Sequence, residues 1–378
     1  MNKTKTLLAI GLTVMVFTLA GPLSAADVET RKDFSVAGKI LEVDNLAGSV
    51  KLLAAKGDKF EIQATVKADK SAGLAAAEIA DLIGFYSVKE GGKHKFRVLY
   101  PVDDYRKYTY RDGSNRGNNS TRIRYQKKRV SVSSNARSDA LNVHVDLVIR
   151  VPNGSSLRVK NRVGPIKGNG LQAKLNLDTG SGEISIEKSQ GSLRADTGSG
   201  RVTVVAYTGD ILADTGSGSV TVTDVEGNVS ADTGSGSVTV TDVDGNVNAD
   251  TGSGRVILNN VSDSLRVDTG SGRVTAKKFL AGEIVDVDTG SGNIAIAGDL
   301  GAVRKLRLDT GSGGVRVKTD QALNMVLRIE TGSGGIDVDL PDLSNVISKD
   351  NQFEAQIGRG DGRGIIDTGS GSVTVSMK

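Results

Sequence analysis

The pentapeptide "DTGSG" begins at Asp178 and returns at Asp196, Asp214, Asp232, Asp250, Asp268, Asp288, Asp309 and Asp367, with "ETGSG" at Glu330. Successive acids stand 18 residues apart five times, then 20, 21, 21 and 37. A fixed period near 20 marks a stacked repeat, because one such unit cannot bury an apolar face alone. This constraint precedes any reading of the pentapeptide as chemistry.

Parity within the unit gives the local structure. The position before each acid is always apolar, from Leu177 and Ala195 through Val287 and Leu308 to Ile366. Three residues before the acid stand Leu175, Leu193, Ile211, Val229, Val247 and their equivalents, with mostly polar residues between. Six and eight residues past the acid the chain is apolar again, as at Val220 and Val222 or Ile294 and Ile296. Period-two alternation of this kind is a strand with one buried face. Each unit therefore reads as strand, turn, strand, turn. The predicted fold class is all-β, a parallel β-solenoid of about 18–21 residues per coil. The crossover preference makes it right-handed.

The same parity turns every pentapeptide acid outward at the start of a turn. There an Asp side chain is expected to accept backbone N–H groups in an Asx-turn, and the two glycines to take positive φ. Arg194, Arg201, Arg255, Arg266 and Arg273 are placed to offset the stacked charge. An aspartic-protease reading of Asp-Thr-Gly fails, since that chemistry needs two carboxylates sharing a proton. One recurring acid per unit also falls short of the six to eight oxygens that Ca²⁺ takes. The ten acids are read as structural turn residues.

Little else in the chain nominates catalysis. Without Cys there is no disulfide, thiolate metal site or cysteine nucleophile, and the two histidines, His94 and His144, read as surface residues. Neither a catalytic residue nor a cofactor nor a metal site is expected.

Residues 1–26 read as a secretory signal: Lys3 and Lys5, an apolar run from Leu7 to Ala20, and small residues at Ser24 and Ala26. The expected location is the periplasm, the cell surface or the outside, with no transmembrane segment in the mature chain. Residues 27–160 read as a β-rich part with a short helix over 72–83 and a basic loop over 101–140, partly disordered, and 161–378 as the solenoid. In the first of these, "VDNLAGSVKL" has the outline of a degenerate first coil. The excursion at 341–364 reads as a cover for the end coil.

Charge is concentrated in one place. Residues 89–129 carry net +9, against −7 over the rest of the chain after residue 26. Arg106, Lys107, Tyr108, Tyr110, Arg111, Arg122, Arg124, Tyr125, Lys127, Lys128 and Arg129 interleave cations with aromatic rings, and form the candidate ligand-binding set. Cations attract polyanions and rings stack on sugars. The partners this suggests are an envelope polysaccharide, anionic lipid headgroups or another envelope protein. Nucleic acid is not expected.

"ILEVDNLAGSVKL", "VIRVPNGSSLRVKNRVGPI" and the repeated "TGSGxVxV" coils together resemble the bacterial putative-adhesin domain family of unknown function, over about residues 35–378. The resemblance implies an exported β-repeat protein with no established catalytic residues, and it leaves 101–140 as an insertion. The expected function is that of a non-enzymatic adhesive or structural envelope protein. The alternatives are a polyanion- or cation-binding envelope sensor using the basic loop, and then a carbohydrate-active enzyme on a β-helix.

Overall fold

A computed structural model describes residues 15–17, 27–111, 120–135 and 139–378. Most of the expected export signal lies outside the described residues. The fold is almost wholly β, with one short helix among the described residues, and the chain divides into two compact units at Gly182 and Glu183.

In the second unit each repeat contributes two strands. Leu193–Thr197, Ile211–Thr215, Val229–Thr233 and Val247–Thr251 pair in parallel, in register, one coil to the next. Val202–Thr208, Val220–Glu226 and Val238–Asp244 do the same. The predicted parallel β-solenoid is what forms. Its core is three columns rather than two. The expected ones run through Ile211 and Ala213 and through Val220 and Val222; the third holds Tyr207, Val225, Val243 and Val261. It exists because Ala206, Asp224, Asp242 and Asn260 sit at φ of 53–58° and interrupt the alternation once per coil. One αL residue returns the next side chain to the inside. Asp and Asn tolerate that conformation better than most residues.

Coil length and core volume go together. Four of the five coils closed in 18 residues carry Ala195, Ala213, Ala231 and Ala249 before the acid, and the fifth, next to the longer coils, carries Val267. The later coils of 20 and 21 carry Val287 and Leu308, so the wider section is filled by larger side chains.

The turn after the acid corrects two expectations. No Asx-turn forms at Asp214, Asp232, Asp250 or Asp268, because the strand continues extended through Asp-Thr. The next residue makes the bond instead. Thr233 Oγ1 accepts the Gly236 N–H (3.0 Å) and donates to the Gly218 carbonyl of the preceding coil (2.8 Å). Thr215 and Thr251 repeat both bonds. Nor do the pentapeptide glycines take positive φ. They are glycine because the coils touch: a Cβ on Gly236 would lie 1.7 Å from the Gly218 carbonyl oxygen, and one on Gly254 1.7 Å from that of Gly236. Thr233→Val keeps the shape and removes both bonds, leaving the half-buried Gly236 N–H and Gly218 C=O without the hydroxyl. It is expected to cost about 2 kcal/mol in urea unfolding.

The acids themselves stack in register from Asp196 to Asp309. Arg194 offsets the charge on Asp214, and Arg307 adds a direct bridge, reaching Asp288 (3.0 Å), Asp309 (2.9 Å) and Asp286 (3.3 Å). Burial and the neighbouring carboxylates raise the pKa of Asp250.

The far end does not stack in chain order. Gly362–Thr368 lies between Lys305–Thr310 and Met325–Thr331, parallel to both, and Val373–Met377 lies between Val315–Thr319 and Ile336–Asp339. The last repeat is thus inserted beneath the one before it, and Asp367, not Glu330, sits on Asp309. Gly364 occupies a position filled by Leu306 and Leu327 in the flanking coils. A Cβ there would meet Leu327 Cδ1 at 2.8 Å and Met325 Sδ at 2.7 Å. The excursion covers one strand of the end coil as expected: Gln352–Ile357 pairs antiparallel with Met325–Thr331, and Leu343–Lys349 pairs in turn with Gln352–Ile357.

In the first unit the degenerate coil is real. Ile40–Ala47 pairs in parallel with Ser155–Val163, which pairs with Ala173–Ser181. Asn45, Asn161 and Thr179 stand in register at the threonine position. The two buried amides supply the bonds a hydroxyl supplies later, with Asn161 Nδ2 donating to the Gly48 carbonyl at 2.7 Å. Antiparallel strands Asp27–Ala37, Lys59–Asp69 and Leu141–Val151 complete the body. The helix is shorter than expected, Ala76–Asp81, because Ala72 and Gly73 adopt positive φ in a turn before it. It is capped where Glu78 accepts the Ala75 N–H at 2.8 Å.

Candidate functional site

The basic segment is not a long loop. Three strands, Lys107–Thr109, Ser120–Tyr125 and Lys128–Ser133, form a small sheet that extends from Leu141–Val151. Residues 112–119 and 136–138 lie outside the described residues. The alternation that makes these strands was present in the sequence. Tyr108, Tyr125, Val130 and Val132 face inward and are buried, while Lys107, Arg122, Arg124 and Arg129 face outward and are exposed. The hairpin between the last two strands turns on Gln126 (φ 46°) and Lys127 (φ 66°), the backbone of a type I′ turn.

The interleaved tyrosines are therefore not stacking platforms. Tyr108 and Tyr125 pack edge-on against Tyr100, at 5.4 and 5.9 Å between ring centroids. The Tyr125 hydroxyl donates to the Val98 carbonyl at 2.5 Å, and that of Tyr108 to the Tyr105 carbonyl at 3.0 Å. Burial raises the pKa of both. Tyr110, also buried, lies against His144 at 5.0 Å. These rings pin the small sheet to the body.

The cations divide by what holds them. Lys128 pairs with Asp103 at 2.9 Å, Lys107 pairs with Asp139, and Arg111 donates to the Ser134 carbonyl at 3.1 Å. Lys127 stands at the hairpin tip. Among the described residues, Arg106, Arg122, Arg124 and Arg129 have no carboxylate in ion-pair contact, though Arg106 attracts Asp103 at longer range. With Lys107 they line an open cavity of about 570 Å³ over Ile123, Val130 and Ser131. Arg124 and Arg129 stand directly opposite each other across the antiparallel pair, and Arg122 is opposite Ser131. Like charges facing across a ladder are destabilising. Guanidinium groups so placed suit one chemistry: planar, charge-assisted hydrogen bonds to carboxylate, sulfate or phosphate oxygens.

His144 faces outward on its strand, as parity requires, but Tyr110 covers it. Burial lowers its pKa, against an opposing effect of Asp146, whose oxygen is 4.0 Å away; Lys67 and Glu29 are the other charges facing it. Folding thus favours the neutral imidazole, which is protonated more readily in the unfolded chain. Stability is then full above the ordinary histidine pKa of about 6.5 and falls as pH drops through it. His144→Gln is expected to flatten the fall in melting temperature between about pH 7 and about pH 5, read by thermal denaturation at each pH. Among the described residues no three His, Cys, Asp or Glu side chains are grouped to hold a metal ion.

The model of one protein family, Toastrack DUF4097, matches residues 103–376. The match bears out the family resemblance drawn from the sequence. Two solved structures are similar at low identity. One is a "putative cell adhesion protein" from Clostridium sporogenes ATCC 15579, at 10% identity and a TM-score of 0.22, over 93% of this chain and 100% of that one. The other is a "putative lipid binding protein" from Parabacteroides distasonis ATCC 8503, at 11% identity and a TM-score of 0.35, over 91% of this chain and 96% of that one. No curated protein matches the chain.

Proposed function

We propose, for a chain that belongs to the Toastrack DUF4097 family, that it is a non-enzymatic, exported binding protein of the cell envelope whose ligand is an acidic polysaccharide. The β-solenoid is the scaffold and the outward face of the small sheet is the binding surface. One observation carries this reading: four exposed arginines with no carboxylate in ion-pair contact among the described residues surround one open cavity on a sheet pinned by buried tyrosines. A rigid platform loses little entropy when it binds.

A polysaccharide is favoured over a membrane surface because the described residues of the small sheet offer no exposed large apolar side chain to insert. Insertion at a lipid interface needs exposed apolar or aromatic side chains beside the cations. The exposed large apolar residues among those described, including Leu82, Tyr86, Leu280 and Ile347, lie elsewhere in the chain.

The test is calorimetric titration with polygalacturonate, a carboxylate polymer, and with uncharged dextran, at low and high salt. Binding of the first alone, weakened by salt, is the expected result. Absence of polygalacturonate binding, or equal binding of dextran, overturns the reading. Binding only to vesicles containing phosphatidylglycerol would replace the polymer with a lipid.

A further inference from the structure

A second concave surface lies in the second unit and is independent of the cationic sheet. It is an open groove of about 470 Å³ that runs across the successive coils between Ser192 and Arg266. One wall is a ladder of turn side chains. Asn228 Nδ2 donates to Asp210 Oδ1 (3.0 Å), Asn246 Nδ2 donates to Asn228 Oδ1 (2.8 Å), and the backbone N–H groups of Asn228 and Asn246 reinforce each step at 3.2 Å. An amide has two N–H donors and the ladder uses one, so each asparagine keeps one to offer.

The other wall is the outward column Leu212, Ser230, Asn248 and Arg266, which are in register on neighbouring coils. Ser230, Asn248 and Arg266 make no side-chain hydrogen bond within the described residues, and Leu212 is 36% exposed. Farther along, the same column is filled internally, where Arg307 and Lys305 close on Asp286. The stretch from Leu212 to Arg266 is the part whose polar groups are left open.

The chemistry narrows the occupant. Every strand beneath the groove is paired on both sides, so no edge exists for an added peptide strand. Leu212 is the one apolar side chain in the outward wall, and a wholly apolar ligand would leave the amide ladder beside it unpaired. One cation lines the groove against Asp210, with the pentapeptide acids two residues on along the same face, so a polyanion is disfavoured. What remains is a ligand that donates and accepts at each step, carries no charge, and has an apolar face for Leu212. We infer that this groove binds a neutral glycan chain laid along the stack of coils. The coil spacing of about 4.8 Å offers it a repeated set of amide and hydroxyl contacts.

The experiment titrates the full-length protein with three uncharged hexasaccharides, namely chitohexaose, cellohexaose and maltohexaose, by calorimetry at millimolar concentration. At least one is expected to bind. The double substitution Ser230→Ala/Asn248→Ala is expected to weaken it roughly tenfold, the effect of losing two hydrogen bonds. Leu212→Glu is expected to weaken it by at least as much. All three positions are surface side chains, and an unchanged melting temperature confirms the fold. Arg124→Glu/Arg129→Glu should leave this binding unchanged, which separates it from the acidic-polymer site. Failure of all three sugars to bind, or binding undiminished in both groove variants, overturns the inference.

Discussion

Gly236→Ala is expected to destabilise the protein by about 3 kcal/mol, read as a lowered urea midpoint and melting temperature. The added methyl would lie 1.7 Å from the Gly218 carbonyl oxygen, which is backbone and cannot swing aside. That oxygen also accepts the Thr233 hydroxyl, so moving it breaks the bond between adjacent coils. The strain is not local, because Gly254 makes the same approach to Gly236 on the next coil. Gly335→Ala is the matched control: it follows an equivalent turn in the end coil, where an added Cβ meets nothing within 4 Å. It is expected to be near neutral. Equal stability of the two variants would show that coil spacing at the turn is looser than described.

Arg124→Glu/Arg129→Glu is expected to weaken polygalacturonate binding on the order of a hundredfold at low salt, with a shallower salt dependence. The two side chains face each other across the hairpin with no ion-paired acid among the described residues, so reversal removes two contacts and adds two repulsions. Their removal should not harm the fold. Each lies on the exposed face, and the sheet is held from the other side by Tyr108 and Tyr125. A modest gain in melting temperature is consistent with relieving a like-charge pair. Lys128→Glu serves as the contrast: Lys128 is already paired with Asp103, so its loss should cost binding less.

The fold was legible because its signal is local and repeated. Leu175 and Leu177, or Ile211 and Ala213, mark a buried face within a few residues, and ten copies make an accidental pattern impossible. The candidate site was legible in part. The cations were found by charge, and four of them converge. The tyrosines between them were misread because a ring in a polar stretch suggests a ligand as readily as it suggests a core. Alternation of Arg122, Ile123, Arg124 and Tyr125 was the available clue to a strand, but four residues among polar neighbours are too short a window to decide it. The column through Val225 and Val243 was missed for a related reason. One αL residue, Asp224 or Asp242, shifts the parity, and nothing adjacent announces it.

By itself, then, the sequence determined the class of fold, the coil length, the inward columns before and after each turn, and the outward direction of the pentapeptide acids. All of these follow from side-chain alternation along a single strand. The tertiary structure alone decided what lies between coils: that threonine rather than aspartate ties each turn to its neighbour, and that the glycines answer to a carbonyl one coil away. It also decided that the last repeat slides beneath the one before it, and that four arginines meet with no ion-paired acid among the described residues. The contacts between coils join residues 15 to 58 positions apart, which the repeats, being interchangeable, leave undetermined. Equivalent coils satisfy one another in any order. Only the packed chain, with Gly364 where its neighbours carry leucine, selects one.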